Sequence, residues 1–403
     1  RTRDPTRPSR PESHAPVTSW PTVRLEEVAT WGSGGTPPRS RSECFGDGTP
    51  WLSIADLNDG FVSEAKESLT AEGLRSSSAK LVPPGTVLVA MYGSIGKLGV
   101  ATREICTSQA IAFAQPDAAR LDGRYLFHFL LSKRPHLQSL GRGGTQMNIG
   151  QGDLRRLEMS LPPIEEQRRI AAILDHAALL HGRLRERVDS LASLEASVFR
   201  ARFAADDARA TVADLALKIK TGPFGSQLLH SEFVSDGVAV LGLDNVVANE
   251  FRWAERRYIT RAKYEQLRRY TVSAGDVLIS IMGTVGRCVV VPDDIPLAIN
   301  TKHICSVTPN PTLTLPAFLR AAFLWHPQSR AFLRQQTKGA IMDGLNMGVI
   351  KGMPIPRVSL SRQREFADDM AVVRRICEQA NLELATGEAL NRALQARAFS
   401  GRL

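Results

Sequence analysis

Two stretches of the chain carry apolar residues at steps of three and four with polar residues between them. Between Ile164 and Phe203 these are Ile173, Ala177, Leu180, Leu184, Val188, Leu191 and Val198. Between Ser361 and Phe399 they are Met370, Val373, Cys377, Ala380, Leu384, Gly387 and Leu394. Such a stripe is the seam of a coiled coil. Neither helix can bury its stripe alone, so pairing with each other is the economical arrangement. Pro162-Pro163 marks the first start, and Glu165 and Glu166 fall in the first turn, where carboxylates suit the helix dipole. The second seam is weaker, because Gly387 and Asn391 lie on it. About 38 residues at about 1.5 Å each predict a rod on the order of 55–60 Å.

Ahead of each helix the pattern changes to short apolar runs broken by Gly and Pro. Val87–Met91 and Val277–Ile281 follow a Gly turn, as buried strands do. Tyr125–Ser132 and Pro316–Trp325 read as short helices. The two regions repeat each other. Gly85, Gly93 and Gly96 match Gly275, Gly283 and Gly286, each 190 positions on. Glu27-Val28-Ala29 matches Asp214-Leu215-Ala216 at 187, and Gln167-Arg168 matches Gln363-Arg364 at 196, as Phe203 matches Phe399. Four collinear matches make an internal repeat. The predicted fold is mixed α/β: two tandem domains and two long helices paired in a coiled coil, with an internal repeat. The expected boundaries are a tail at 1–19, a domain at 20–161, a helix at 162–205, a domain at 206–357 and a helix at 358–403.

Length and charge narrow the function. At 403 residues the chain suits two or three domains. The net charge is +10, and Arg outnumbers Lys 41 to 10. An Arg-heavy chain favours a polyanionic partner, because the guanidinium fork matches phosphate and guanine edges. Compositional drift toward Arg and Ala explains the same numbers equally well. The five cysteines are odd in number and form no CxxC pair, which predicts a reducing, cytoplasmic setting without disulfide or zinc framework. No apolar run reaches about 18 residues, so no membrane span is expected. Arg1–Ser19, rich in Pro, Arg and Ser, reads as a disordered tail rather than a signal peptide.

Catalytic motifs fail one by one. Gly93-Ser-Ile-Gly96-Lys97-Leu98 lacks the spacing of a phosphate loop and its Ser or Thr for magnesium. It reads as a Gly-turned hairpin whose last residue, Lys97 or Arg287, can still reach a phosphate. No Asn/Asp-Pro-Pro-aromatic sequence marks an amino-methyltransferase, and Pro292-Asp293-Asp294 has no following Glu-x-Lys of a nuclease. His176 and His181, five apart on a helix, share no face for a metal. Residues suited to DNA sit in loops. In the first unit they are Arg39, Arg41, Lys97, Arg142, Thr145, Gln146 and Asn148; in the second, Lys218, Lys220, Arg287, Lys302, Lys338 and Asn346. Gly lets the backbone approach, while Arg, Lys, Gln and Asn read base edges or hold phosphates. A solvated polar loop accounts for any single one of them equally well.

These residues carry a resemblance. Leu161-Pro-Pro-Ile-Glu-Glu-Gln167-Arg-Arg-Ile170 is similar to the opening of the first spacer helix in specificity subunits of type I restriction–modification systems. Gly34-Gly-Thr-Pro37, Pro50-Trp51-Leu52 and Gly144-Thr-Gln146-x-Asn148-Ile149 support it. The second copy departs: Pro354-Ile-Pro356 lacks adjacent prolines, and Arg362 stands where Glu is usual. That leaves altered docking of a partner or degeneration open. The resemblance implies a non-catalytic chain whose two tandem target-recognition domains each read one half of a two-part site on double-stranded DNA, with the long helices forming an antiparallel coiled coil and the repeat a pseudo-two-fold. It further implies two copies of a methyltransferase subunit on the helices, with a helicase-nuclease restriction subunit joining them. This chain then binds no cofactor, and S-adenosylmethionine, ATP and Mg belong to the partners. The alternative is a specificity module of a methylation or phage-defence system lacking a restriction subunit. A coiled-coil scaffold without a DNA role is the weaker third reading.

If the helices measure DNA, half-sites on one face lie about one turn, roughly 10 base pairs, apart. One heptad inserted into both helices adds about 10 Å, or about three base pairs at 3.4 Å each. The expected outcome is a longer gap between unchanged half-sites, read by mapping methylated motifs in cells; an unchanged gap with full activity would show that something else sets the spacing.

Overall fold

The computed structural model describes residues 20–143, 147–253, 256–337 and 345–403. They form two units. One comprises Arg1–Arg185 with Glu383–Leu403, the other Glu186–Leu382.

In the first unit a five-stranded sheet runs in the order Ala29–Ser33, Ile111–Pro116, Val87–Ala90, Leu98–Ala101, Gly60–Val62, with only the last pairing parallel. A four-stranded sheet runs Glu67–Leu69, Phe45–Leu52, Ile105–Thr107, Leu81–Val82, its central pairing parallel. Thr22–Arg24 and Glu158–Ser160 pair to bring the domain's ends together. Val87–Ala90 shows why the apolar run lacks alternation. Val87 and Val89 enter one core, beside the helix Gly123–Ser132. Leu88 and Ala90 enter a second core under the other sheet. A strand buried on both faces needs apolar residues throughout.

The second unit repeats this plan. Its four-stranded sheet runs Ala216–Thr221, Ile304–Pro309, Val277–Ser280, Cys288–Val290. A five-stranded sheet runs Phe233–Val234, Tyr258–Ile259, Val238–Leu241, Ala298–Asn300, Thr271–Val272, with the pairing of Val238–Leu241 to Ala298–Asn300 parallel. Ala210–Thr211 pairs with Pro354–Ile355. Val277 and Ile279 again enter one core and Leu278 another.

The long helices are Ile164–Leu191, Leu194–Phe203 and Leu360–Phe399. The first expected helix is therefore two helices with a break at Ala192-Ser193. Serine hydroxyls compete with the helical ladder there: Ser190 donates to the Glu186 carbonyl at 2.8 Å and Ser193 to the Ser190 carbonyl at 3.3 Å. The second helix is continuous through Gly387. A Cβ on Gly387 would stand 3.0 Å from Leu184 Cδ1, so glycine there admits close approach of two antiparallel helices within the first unit. The seam also shifts by one position. Leu180 is exposed, and His181 lies inward, 3.4 Å from Glu388.

Each unit closes its core with the far end of a long helix. In the second unit Phe199 and Phe203 stack with Phe318 and Phe366, with ring centroids 5.2–6.4 Å apart. In the first, Phe399 lies 5.4 Å from Tyr125 and 5.5 Å from Phe129.

One polar device fixes each helix start. Gln167 is fully buried; its Oε1 accepts from the Asp122 amide at 2.8 Å, and its Nε2 donates to the carbonyls of Arg120 and Pro162 at 2.9 and 2.8 Å. Gln363 does the same with Leu315, Leu313 and Val358 at 2.8, 3.0 and 2.8 Å. The departure at Arg362 does not weaken this start. Arg362 grips Asp206 through two bonds of 2.9 and 3.0 Å and lies over the Phe203 ring at 5.1 Å. In the first unit Asp175 receives Arg124 and His128, the latter at 2.8 Å. Burial alone would raise its pKa, but the hydrogen bonds from His128 and Arg124 outweigh burial and hold that pKa at about 2.

Gln167→Leu and Gln363→Leu keep the side-chain volume and strand three backbone groups each. An unpaired buried group costs about 1–3 kcal/mol, so each change should cost about 3 kcal/mol or more. Calorimetry should show a fall in melting temperature of roughly 6–12 °C; an unchanged transition would mean that water replaces the amide without cost.

Candidate nucleic-acid interface

The hairpin between Val87–Ala90 and Leu98–Ala101 turns on Gly93 and Gly96, with φ of 60° and 78°. Its counterpart in the second unit turns on Gly283 and Gly286, with φ of 72° and 79°. Side chains disfavour this left-handed region, so the repeated glycines serve the turn. The chain then continues as a strand, whereas a phosphate loop runs into a helix N-terminus. Lys97 and Arg287 occupy the same place after the turn. Lys97 Nζ donates to the Ile54 carbonyl at 3.2 Å. The Arg287 amide donates to Ser280 Oγ at 2.9 Å, leaving its guanidinium on a cavity wall.

In the first unit Arg142 and Asn148 exchange backbone bonds of 2.8 and 2.9 Å, and the Gly93 amide donates to the Met147 carbonyl at 3.0 Å. The segment bearing Arg142 and Asn148 is thus clipped to the hairpin turn. Thr145 and Gln146 lie outside the described residues, as does Lys338.

A second loop lies along the parallel strand pair. A Cβ on Gly34 would meet the Thr107 carbonyl oxygen at 1.8 Å, and one on Gly222 would meet that of Asn300 at 2.3 Å. Both glycines let the loop touch the strand. Beyond Gly34, Arg39 forms a two-pronged pair with Glu67 at 2.6 and 2.9 Å and lies 4.7 Å from the Phe45 ring centroid and 5.0 Å from that of Trp51. The Glu67 bond raises the Arg39 pKa, and Arg39 lowers that of Glu67. Arg41 bonds Glu43 at 2.8 Å and Glu72 at 3.2 Å. These arginines sit on an acidic frame that fixes their direction.

The second unit presents different chemistry at the matching place. Lys218 is exposed. Lys220 donates to the Thr271 carbonyl, and burial, then the charge of Lys218, lowers its pKa. Lys302 and His303 line a cavity of about 370 Å³ with Asp244, Arg257 and Thr301. Asp244 Oδ2, Arg257 Nε and Thr301 Oγ1 are buried with no hydrogen-bond partner among the described residues. Burial, then Lys302, lowers the His303 pKa, so the ring is neutral near pH 7. Asn346 caps the short helix Met347–Lys351, accepting from the Val349 amide at 2.9 Å. Asp244 and Arg257 escaped the sequence reading because they are 13 positions apart and meet only through the fold.

Known proteins resemble the chain. A family model described as the type I restriction modification DNA specificity domain matches residues 18–187. The EcoBI specificity subunit of a type I restriction enzyme from Escherichia coli is 21% identical over 96% of this chain and 86% of its own length. The MjaIX specificity subunit from Methanocaldococcus jannaschii is 24% identical, but the match spans only 39% of this chain and 37% of that relative. A chain from a structure of type I R-M complex assembly superimposes with a TM-score of 0.67 at 16% identity, covering 97% of this chain and all of the other. The S subunit from M. genitalium gives 0.52, also at 16% identity, over 94% and 96% of the two chains. At this identity the structural likeness speaks for the fold.

The loop glycines yield a contrast. Gly34→Ala and Gly222→Ala push a methyl group into backbone and should cost about 3 kcal/mol, at the upper end of overpacking. Gly182→Ala, on a helix with nothing within 4 Å, should stabilise by about 0.5–1 kcal/mol. Urea midpoints of the three variants would show it; equal shifts would mean that the loops yield freely.

Proposed function

We infer that this chain, which belongs to the type I restriction–modification DNA specificity family, chooses the two-part DNA sequence on which partner enzymes act. The observation that carries this reading is a complete recognition fold present twice in one chain, with equal scaffolds and unequal loops. Both units share the parallel strand pair, the glycine-turned hairpin and the buried glutamine. At matching loop positions they differ: Gln109 in the first unit stands where Lys302 stands in the second. Different polar ends on one scaffold suit two different half-sites of double-stranded DNA.

The chain supplies sequence choice, not chemistry. Methylation then falls to two copies of a methyltransferase subunit and cleavage to a helicase-nuclease subunit, and those partners carry S-adenosylmethionine, ATP and magnesium. Exposed apolar side chains on the long helices support docking there. Leu179, Leu180 and Leu390 stand out in the first unit and Val372, Ile376 and Leu382 in the second, each at least 39% exposed. Large apolar residues gathered on one exposed element mark a protein contact. Among the described residues no helix is long and apolar enough to cross a membrane, and the cytoplasm, where such partners meet DNA, is the setting proposed.

Exchange of residues 20–161 for the matching domain of another family member tests the reading. The expected result is a changed first half-site and an unchanged second one, read from methylated motifs in cells with the partner subunits. Joint change of both halves would contradict independent reading; an unchanged motif would remove the DNA-reading role from this domain.

A further inference from the structure

The repeated hairpin is held differently in the two units. In the first, Asp59 sits in the left-handed region with φ of 61° and accepts the Leu98 amide at 2.8 Å. Its carboxylate also pairs with Arg134, whose Nε donates to the Gly96 carbonyl at 2.8 Å and whose stem lies against Gly96. One cation and one anion thus fill the space beside the turn. In the second unit Asn249 takes the same backbone role, with φ of 62° and its Oδ1 accepting the Cys288 amide at 3.1 Å. Leu333 packs on Gly286 in place of the arginine stem. The carboxylate is gone.

The cations are not. A cavity of about 730 Å³ beside this turn is lined by Arg200, Arg287, Arg330 and Arg334, together with Asn249 and Thr284. Among the described residues no carboxylate lines it. Two acids of the described residues pair elsewhere, Glu195 with Arg320 at 3.2 Å and Glu250 with Arg252 at 2.6 Å. Among the described residues Arg200, Arg287 and Arg330 have no carboxylate partner. Arg330 and Arg334 are four apart on the helix Pro327–Thr337, a spacing at which like charges repel. The first turn of that helix, at Pro327, also lines the cavity, and its dipole adds positive potential.

We propose that this cavity of the second unit is a phosphate clamp, which grips the DNA backbone beside the half-site that this unit reads. This rests on the DNA-reading function inferred above. Guanidinium forks match phosphate oxygens, and neutral donors such as Asn249 and Thr284 are typical of contacts that position a backbone without reading bases. At the matching place in the first unit Asp59 pairs with Arg134.

The test measures binding of the full chain to a random 40-base-pair duplex by fluorescence anisotropy across salt concentrations. Each phosphate contact contributes about 0.9 to the slope of log affinity against log salt. The double variant Arg287→Gln/Arg330→Gln should lower that slope by about 1.8 and weaken binding about sixtyfold near 0.1 M salt. Asn249→Asp supplies the missing carboxylate, and the fold accepts it, since Asp59 makes the same bond in the first unit. It should weaken binding severalfold and lower the slope by about 0.9. Wild-type affinity and slope in either variant would overturn the clamp while leaving DNA reading intact. Unchanged DNA binding with lost retention of the methyltransferase subunit would assign the arginines to an acidic protein surface and overturn it too. A wild-type chain that binds no duplex would remove the DNA-reading function, and the clamp with it.

Discussion

A single buried amide at each helix start holds the molecule's plan together. Gln167 and Gln363 each complete one acceptor and two donor bonds to backbone groups from separate segments. One segment ends the sheet region, the other leads into a short buried helix, and the glutamine belongs to the long helix. Its bonds therefore set where the long helix leaves the domain. A charged residue would carry a desolvation cost here, and an apolar one would leave three backbone groups unpaired. Glutamine matches them with neither penalty. Each unit's core is completed by the last turns of a long helix: Phe199 and Phe203 in the second, Ala398 and Phe399 in the first.

The scaffold was legible in the sequence because its rules are local or repeated. Steps of three and four marked both helices, and most of the named seam residues lie inward. The three glycines repeated at one offset mark turns that require positive φ in both units. What escaped was competition between equals. Leu180 and His181 are adjacent, and only the partner helix, with Glu388, decides which turns inward. The break at Ser193 depends on hydroxyls competing for carbonyls one turn back, which a hydrophobic pattern does not record.

The loop residues were legible as a group and not as individuals. Arg39 was singled out as basic, but its direction comes from Glu67, 28 positions on, and from two aromatic rings. Asn346 was singled out as polar, and it caps a helix through a bond to Val349 three residues later. Side-chain amides suit caps and base edges equally, so type alone does not separate the roles. Thr145, Gln146 and Lys338 stand outside the described residues.

Comparison of the two units separates what folds from what reads. Positions that the scaffold needs are kept in kind: the glutamine, the turn glycines, the close-approach glycines at 34 and 222. Charges are exchanged or dropped around them. Glu166 matches Arg362, and Asp206, which Arg362 grips, matches Arg402, so the sign at these two places is reversed between units. Asp59 matches Asn249, which keeps the hydrogen bond and loses the charge. Such changes leave stability nearly untouched, because surface ion pairs contribute only about 0–1 kcal/mol. The same changes alter the potential facing a polyanion, where each phosphate contact counts in full. A duplicated domain can thus diverge in what it binds without losing the fold that positions its loops, which is the property a reader of two unlike half-sites requires.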